Sequence, residues 1–392
     1  MTFNCLTSLK IRYYKFRFSD NIVYIKCLNY IKEMVKIFKP YEPCPCDSGK
    51  KYKFCCFKKS KNNRSNHSSL GQLMFDMRNK YRKSNFKKCF SFDDQCNYGF
   101  IDAHSLQNNG VLKEISEDNH VYELATNQNK GLEFKKIGKN QASTFNGFCK
   151  YHDEIYFTKI EDEKYKNTSE QNFWYAYRAW ALETHRLYRL KKFYSYVCRD
   201  NPQLTQNPLF YYKYQELELT IKDSNIEFEK FKKVYDNNQF DSLETFSKEL
   251  NFKVGFTATT AVGVDIDPRG HPAADIYNYD EQLVIPSLFI SVLPQKETTL
   301  LIVSRFKEDS CYDNIIDSLK TVSTDTVFDY ITYCLSQFSE NIYFSPKTID
   351  NLEEKQRRLL LKAFVGTASF TIQDRIETTI AAQNIRLFNL KM

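Results

Sequence analysis

Cys44, Cys46, Cys55 and Cys56 lie in the run Pro43-Cys44-Pro45-Cys46-Asp47-Ser48-Gly49-Lys50-Lys51-Tyr52-Lys53-Phe54-Cys55-Cys56. Four thiols so spaced match the ligand set of a structural zinc, which takes four soft donors in a tetrahedron. Cys44 and Cys46 can reach one ion from a turn, Ser48-Gly49 lets the chain reverse, and Cys55 and Cys56 close the site. The neighbouring lysines favour thiolate over thiol. A segment this short has no hydrophobic core, so metal binding would supply its folding free energy, on the order of 10 kcal/mol or more.

A looser constellation follows: Cys89, Cys96, His104, Cys149, His152 and Asp153. Cys149-Lys150-Tyr151-His152 has zinc-ligand spacing and stands before a possible helix. The ligand set read here is Cys89, Cys96, Cys149 and His152, with His104 a fifth candidate. A knuckle pair, a β-hairpin (Val121–Leu124 with Leu132–Ile137) and a second pair at a helix N-terminus together form a treble-clef-like arrangement.

The first run resembles the SEC-C motif. This small zinc-binding element is found at the C-terminus of the bacterial preprotein translocase ATPase and in many otherwise unrelated proteins. Its pattern is Cys-x-Cys-x-Ser-Gly, a basic and aromatic stretch, then Cys followed by Cys or His. Cys44, Cys46, Ser48, Gly49, Cys55 and Cys56 match it, and Asp47 departs from the usual Gly. The resemblance covers a small part of the chain. It implies a zinc-bound contact module of the kind that meets a chaperone or a ribosomal surface. The second constellation more distantly resembles HNH-type ββα-metal nucleases. That resemblance implies His104 as general base and Asp153 as ligand of a catalytic Mg²⁺ or Mn²⁺, with Cys89, Cys96, Cys149 and His152 on structural zinc and Asn108 or Asn109 orienting the base. The chain departs from that pattern in having Ala103 before the histidine, Asp153 where a histidine is usual, and a longer gap from His104 to Cys149.

The elements that must position these residues follow from the rest of the chain. The 392 residues are 42% hydrophobic and 27% charged, enough for real cores in two or three domains. The aromatic fraction of 16% accompanies many Lys and Asn, so aromatic clusters are read as composition rather than as function. Twelve cysteines in a chain that is neither short nor led by an apolar signal segment imply reduced thiols, with the paired ones as metal ligands. A net charge of +8 permits an acidic partner without requiring one. No apolar stretch is long enough to span a bilayer, and the reading is of a cytoplasmic protein with no membrane partner.

The organisation expected is an α+β multidomain chain. Residues 1–33 are an extension, 34–59 the zinc module, 60–68 a linker, 69–168 the treble-clef-like zinc segment and 169–392 an α+β domain with an antiparallel sheet and helices. Met34 is read as the start, against a basic amphipathic helix around Ile22–Ile37. The polar linker predicts a module that moves relative to the body. Helices are expected at Leu70–Tyr81, along a long face carrying Phe173, Tyr177, Trp180, Ala181, Thr184, Leu187 and Tyr188, at about Leu209–Tyr235, and after Ser345-Pro346. Alternation through Phe252–Ile266 predicts half-buried strand, and Leu283–Leu293 with Thr299–Phe306 a hairpin.

Other residues carry less. Asp265, Asp267 and Asp275 read as a solvated strand end and turn, and His120, His185 and His271 as isolated side chains. Cys198, Cys311 and Cys334 read as small buried apolar groups. There is no phosphate-cradling glycine loop, hence no nucleotide cofactor, and no Ser-x-Gly nucleophile elbow. The lead reading is a protein with one or two structural Zn²⁺ that recognises protein or nucleic acid through its basic zinc module. The alternative is a metal-dependent HNH-like nuclease, acting in defence against foreign DNA.

Overall fold

The computed structural model describes residues 12–18, 21–27, 38–61, 70–96, 99–127, 131–364 and 385–392. In chain order they form β1 (Arg12–Phe18), β2 (Asn21–Cys27), α1 (Cys56–Ser60), α2 (Leu70–Lys83), β3 (Ala103–His104), α3 (Lys113–Ile115), β4 (His120–Asn127), β5 (Gly131–Gly138), β6 (Thr144–Phe145), α4 (Lys150–Glu161), α5 (Ser169–Asp200) and α6 (Pro208–Asp236). Then come β7 (Leu243–Leu250), β8 (Phe256–Val262), β9 (Leu288–Pro294), β10 (Thr299–Phe306), α7 (Asp313–Thr321), α8 (Thr324–Phe338), β11 (Ile342–Phe344), α9 (Pro346–Asp350) and α10 (Glu354–Phe364). The class is α+β, as composition and periodicity implied. Among the described residues no helix is long and apolar enough to cross a membrane.

Two compact units divide the chain. One holds residues 1–16, 22–86 and 186–222; the other holds 17–21, 87–185 and 223–392. Residues 22–27, where the alternative to a start at Met34 was an amphipathic helix, form β2, which pairs with β1; 28–37 and nearly all of the linker at 60–68 lie outside the described residues.

In the first unit, Phe38, Tyr52 and the four cysteines of the first run pack with Cys198 and Tyr211. Phe38 makes edge contacts with Tyr211 and Tyr214 at centroid distances of 5.1 and 5.4 Å. The Tyr52 hydroxyl lies 3.0 Å from Thr205 Oγ1. The cysteine segment is therefore docked on residues 198–214 rather than free to move at the end of a linker. The physical reason is that burying the Phe38 and Tyr52 rings is favourable, and Phe210, Tyr211 and Tyr214 of α6 pack around Phe38.

The second unit is built on a seven-stranded antiparallel sheet in the order β5-β4-β11-β8-β9-β10-β7. Helices cover both faces. Phe231 of α6 meets Phe289 and Phe306 on one face, at 5.4 and 4.8 Å. On the other, Phe344 meets Phe364 of α10 at 5.9 Å, and Phe256 meets Phe388 at 5.5 Å. Double coverage explains why β9 and β10 are buried along their whole length. It also corrects the expected half-buried strand: Thr257 and Thr259 on β8 are as buried as Phe256 and Ala258. Their hydroxyls are satisfied internally, Thr257 donating to the Val292 carbonyl at 2.8 Å and Thr259 paired with Ser291 at 2.9 Å. The expected hairpin forms as β9 and β10, but its first strand begins at Leu288 rather than Leu283.

The expected pair at 121–124 and 132–137 exists as β4 and β5, but it belongs to the large sheet, where β4 pairs with β11. A second, minimal pair does the local work. Ala103 and His104 of β3 pair with Phe145 and Thr144 of β6, and α4 begins five residues after β6 ends. Residues 105–143 are thus an excursion from this small strand–strand–helix element into the sheet. That excursion is the physical origin of the long gap between His104 and Cys149.

Candidate metal centres

The first centre is closed by local backbone geometry. The Cys44 N–H donates to the Lys50 carbonyl at 2.9 Å, the Asp47 N–H donates to the Cys44 carbonyl at 3.0 Å, and Pro43 bridges Lys51. The reversal needs left-handed backbone at Asp47 (φ 54°) and Gly49 (φ 70°). A short 3₁₀ turn, Tyr52–Phe54, then delivers Cys55 and Cys56. The Cys46 Sγ lies 3.4 Å from the Sγ of Cys44 and of Cys55. All four sulfurs are buried and lie within 4.8 Å of one another. A tetrahedron of ~2.3 Å Zn–S bonds spaces its sulfurs about 3.8 Å apart, so the cage has the size for that ion. The Cys44 thiol is pulled down to about 5, chiefly by its hydrogen bond with Cys56, whose own thiol is pushed up by the same contact. Arg199 holds the turn from outside, its Nε donating to the Cys46 carbonyl at 2.8 Å.

Asp47 is the position where the resembled motif usually has glycine, and its positive φ gives the reason: left-handed backbone costs most residues, Asp and Asn less, and glycine nothing. Asp47→Gly is therefore expected to raise the denaturation midpoint of the metal-loaded protein, by up to about 1 kcal/mol in unfolding free energy. A lowered midpoint would reveal a contribution from the Asp47 carboxylate that outweighs its backbone strain.

The second centre gathers Cys89, Cys96, Cys149 and His152, whose ligand atoms again lie within 4.8 Å of one another. Backbone pairing brings the three segments together. Phe90 N–H donates to the Gly147 carbonyl at 2.9 Å, and Lys150 N–H to the Gly99 carbonyl at 2.8 Å. The Cys149 N–H points at Cys89 Sγ, 3.4 Å away. Cys149 is the N-cap of α4, so His152 lies in its first turn. The His152 ring is fully buried, with Nδ1 3.1 Å from Cys149 Sγ and 3.4 Å from Cys89 Sγ. Three thiols and an imidazole are a donor set that closed zinc sites use. His104 does not belong to this group.

His104 and Asp153 sit apart from both cages. Each carries a buried polar atom with no hydrogen-bond partner, His104 Nε2 and Asp153 Oδ1. The Asn140 backbone carbonyl takes the other ring nitrogen of His104. Burial first, and then the Arg178 guanidinium, lower the pKa of His104, favouring neutral imidazole. Burial raises Asp153 to about 6, against the pull of the same Arg178. Arg178 is itself only 5% exposed, pairs with Glu161 of α4, and leaves its Nε without a partner.

The asparagines expected to orient His104 bond elsewhere. The Asn108 amide donates to Asn140 Oδ1 at 2.9 Å, and Lys139 donates to both Asn108 and Asn109, at 3.0 and 3.3 Å. Asn140, Arg178 and Glu161 were not legible, since nothing in their spacing links them to His104. Asp93 was also missed, though its place between two ligands was a signal. The remaining candidates behave as ordinary structure. Asp265 receives the Tyr333 hydroxyl at 2.7 Å and His185 packs on Phe145, but Asp267, expected in a solvated strand end, is buried because it caps the turn, accepting from the Arg269 and His271 backbone. Cys198 and Cys334 are buried as expected, but Cys311 is exposed. Compared with protein-family models, with curated proteins and with solved structures, the chain matches none.

Proposed function

We propose that this chain is a zinc-stabilised recognition protein, and that its SEC-C-like module binds an acidic macromolecule. The observation that carries this reading is the outer face of the first centre. Tyr41 and Phe54 are each 60% exposed, unusual for large aromatics beside a packed core. Lys51 and Lys53 lie 5.6 and 5.3 Å from the Tyr41 centroid, and Lys53 lies 5.9 Å from that of Phe54. The cage turns Tyr52 inward and leaves Lys50, Lys51, Lys53 and Phe54 outward. Rings flanked by exposed cations suit a polyanion with flat or apolar groups, such as single-stranded nucleic acid. An acidic protein segment offers the same charge.

Anisotropy titrations of the full chain with a labelled single-stranded oligonucleotide and with an acidic peptide test this. Tyr41→Ala combined with Phe54→Ala should weaken oligonucleotide binding by about 1–3 kcal/mol per lost stack, with metal content unchanged. Binding should fall with rising salt. Preference for the peptide would assign a protein partner; no binding to either would overturn the reading.

A second reading, a metal-dependent nuclease of HNH-like design, is favoured by one observation. His104 has one ring nitrogen held by a backbone carbonyl and the other buried and unpartnered, on a strand–strand–helix element joined to the second zinc cage. That is the state a general base needs. Asp153 would contribute a carboxylate to a Mg²⁺ or Mn²⁺. Among the described residues no group of three His, Cys, Asp or Glu ligand atoms gathers there. Such an ion supplies charge stabilisation to a phosphodiester, and Arg178 adds a fixed positive charge beside the same two residues.

A further inference from the structure

We infer that Asp93 is the positioning residue of the second metal centre, fixing the tautomer and ring orientation of His152; this rests on the reading of that centre as a zinc site. The His152 ring has two ends with different surroundings. Nδ1 faces the sulfurs of Cys149 and Cys89, at 3.1 and 3.4 Å. Nε2 faces away from them, 3.0 Å from Asp93 Oδ1. A neutral imidazole has one N–H, and an ionised carboxylate can only accept. Asp93 therefore holds that hydrogen on Nε2 and leaves the Nδ1 lone pair for the metal. A carboxylate behind a ligating histidine also makes the imidazole a stronger donor.

Asp93 is itself held on both sides. Its Oδ1 also accepts from the Gln95 N–H at 2.7 Å, and its carbonyl accepts from the Ser91 hydroxyl at 2.8 Å. The preceding residue, Phe92, is buried, its N–H donates to the Tyr156 hydroxyl at 2.9 Å, and its ring stacks on Tyr235 at 4.7 Å. Lys232 donates to the Phe92 carbonyl at 3.0 Å. The side chain of Asp93 is thus anchored to the aromatic core through its neighbour. This accounts for a feature of the sequence that ligation alone leaves unexplained. Two cysteines on one knuckle need only two residues between them, and here there are six. The longer loop places one residue in the core, at Phe92, and the next behind the histidine, at Asp93.

The test uses the full chain, with the first centre as internal control. Zinc affinity is measured by chelator competition, and long-range ¹H–¹⁵N spectra report the His152 tautomer. In the wild type, Nδ1 should carry the metal and Nε2 the proton. Asp93→Leu should weaken zinc at the second centre 10- to 100-fold and shift the Co²⁺ absorption of that centre, without change at the first. Asp93→Asn, which keeps an acceptor at nearly the same place, should retain the tautomer with a smaller loss and separates positioning from any general damage to the loop. Unchanged affinity and tautomer in Asp93→Leu would overturn the inference. A wild type that takes up no metal at Cys89, Cys96, Cys149 and His152 would overturn the zinc reading instead.

Discussion

Metal analysis of the zinc-loaded chain should return two ions, with Cys46→Ala and Cys149→Ala each losing one, and only Cys149→Ala should change the tryptophan emission. The two ligand groups share no residue and fall in different compact units, so their metal contents should vary independently. Both tryptophans of the chain, Trp174 and Trp180, lie in the second unit. Trp174 stacks on Tyr156 at 5.0 Å, one helical turn beyond His152 on α4. Trp180 is buried, its indole N–H donating to the Ser224 carbonyl at 3.1 Å. Backbone hydrogen bonds join the 88–90, 99–101 and 146–150 segments, which carry Cys89 and Cys149 and contribute Phe90 and Phe148 to this aromatic core. Structural zinc contributes on the order of 10 kcal/mol, comparable to the whole stability of a typical domain. Its loss in Cys149→Ala should therefore red-shift the emission and remove cooperative unfolding of the second unit. In Cys46→Ala the emission should stay put, the damage being confined to the packing of Phe38 and Tyr52. Two ions retained in Cys149→Ala, or an unshifted spectrum after its zinc is lost, would reject this assignment of structural weight.

The difference between what spacing encodes and what it does not runs through both centres. Six of the eight candidate ligands were legible because a metal site constrains residue type and short-range spacing together: Cys44 with Cys46, Cys55 with Cys56, Cys149 with His152. Helices α5 and α6 were legible because their apolar faces repeat over many turns. The small β3–β6 pair was not, because two residues per strand carry no period, and the longer β4 and β5 drew the hairpin assignment to themselves. Docking of the cysteine segment was hidden for a related reason. Cys198, Arg199 and Thr205 touch it from far along the chain, and no local pattern marks a long-range contact. The same holds for Arg178 beside His104. Chemistry assembled from neighbours in sequence is readable; chemistry assembled by the fold is readable only in the fold.

His104 carries the second large effect, and its substitution separates catalysis from folding. If the chain cleaves nucleic acid with Mg²⁺ or Mn²⁺, His104→Ala should lower the rate by about 10²- to 10⁴-fold, the usual contribution of a general base. Zinc content and tryptophan emission should not change, since His104 belongs to neither cage. The pH–rate profile should help distinguish a base from a structural histidine. Burial and Arg178 lower its pKa below the ordinary 6.5, against Asn140, Glu161 and Asp102, which favour the protonated ring. The neutral, proton-accepting form therefore dominates at pH 7, and the rising limb of the profile should have its midpoint below 6.5. Arg178→Gln should move that midpoint upward, because removing the nearby positive charge makes protonation of His104 easier. Loss of zinc in His104→Ala would make the residue a support of the second cage. A wild type that cleaves nothing with either metal, yet binds an oligonucleotide in a salt-dependent way, would leave recognition as the function and His104 as a half-buried histidine held by Asn140.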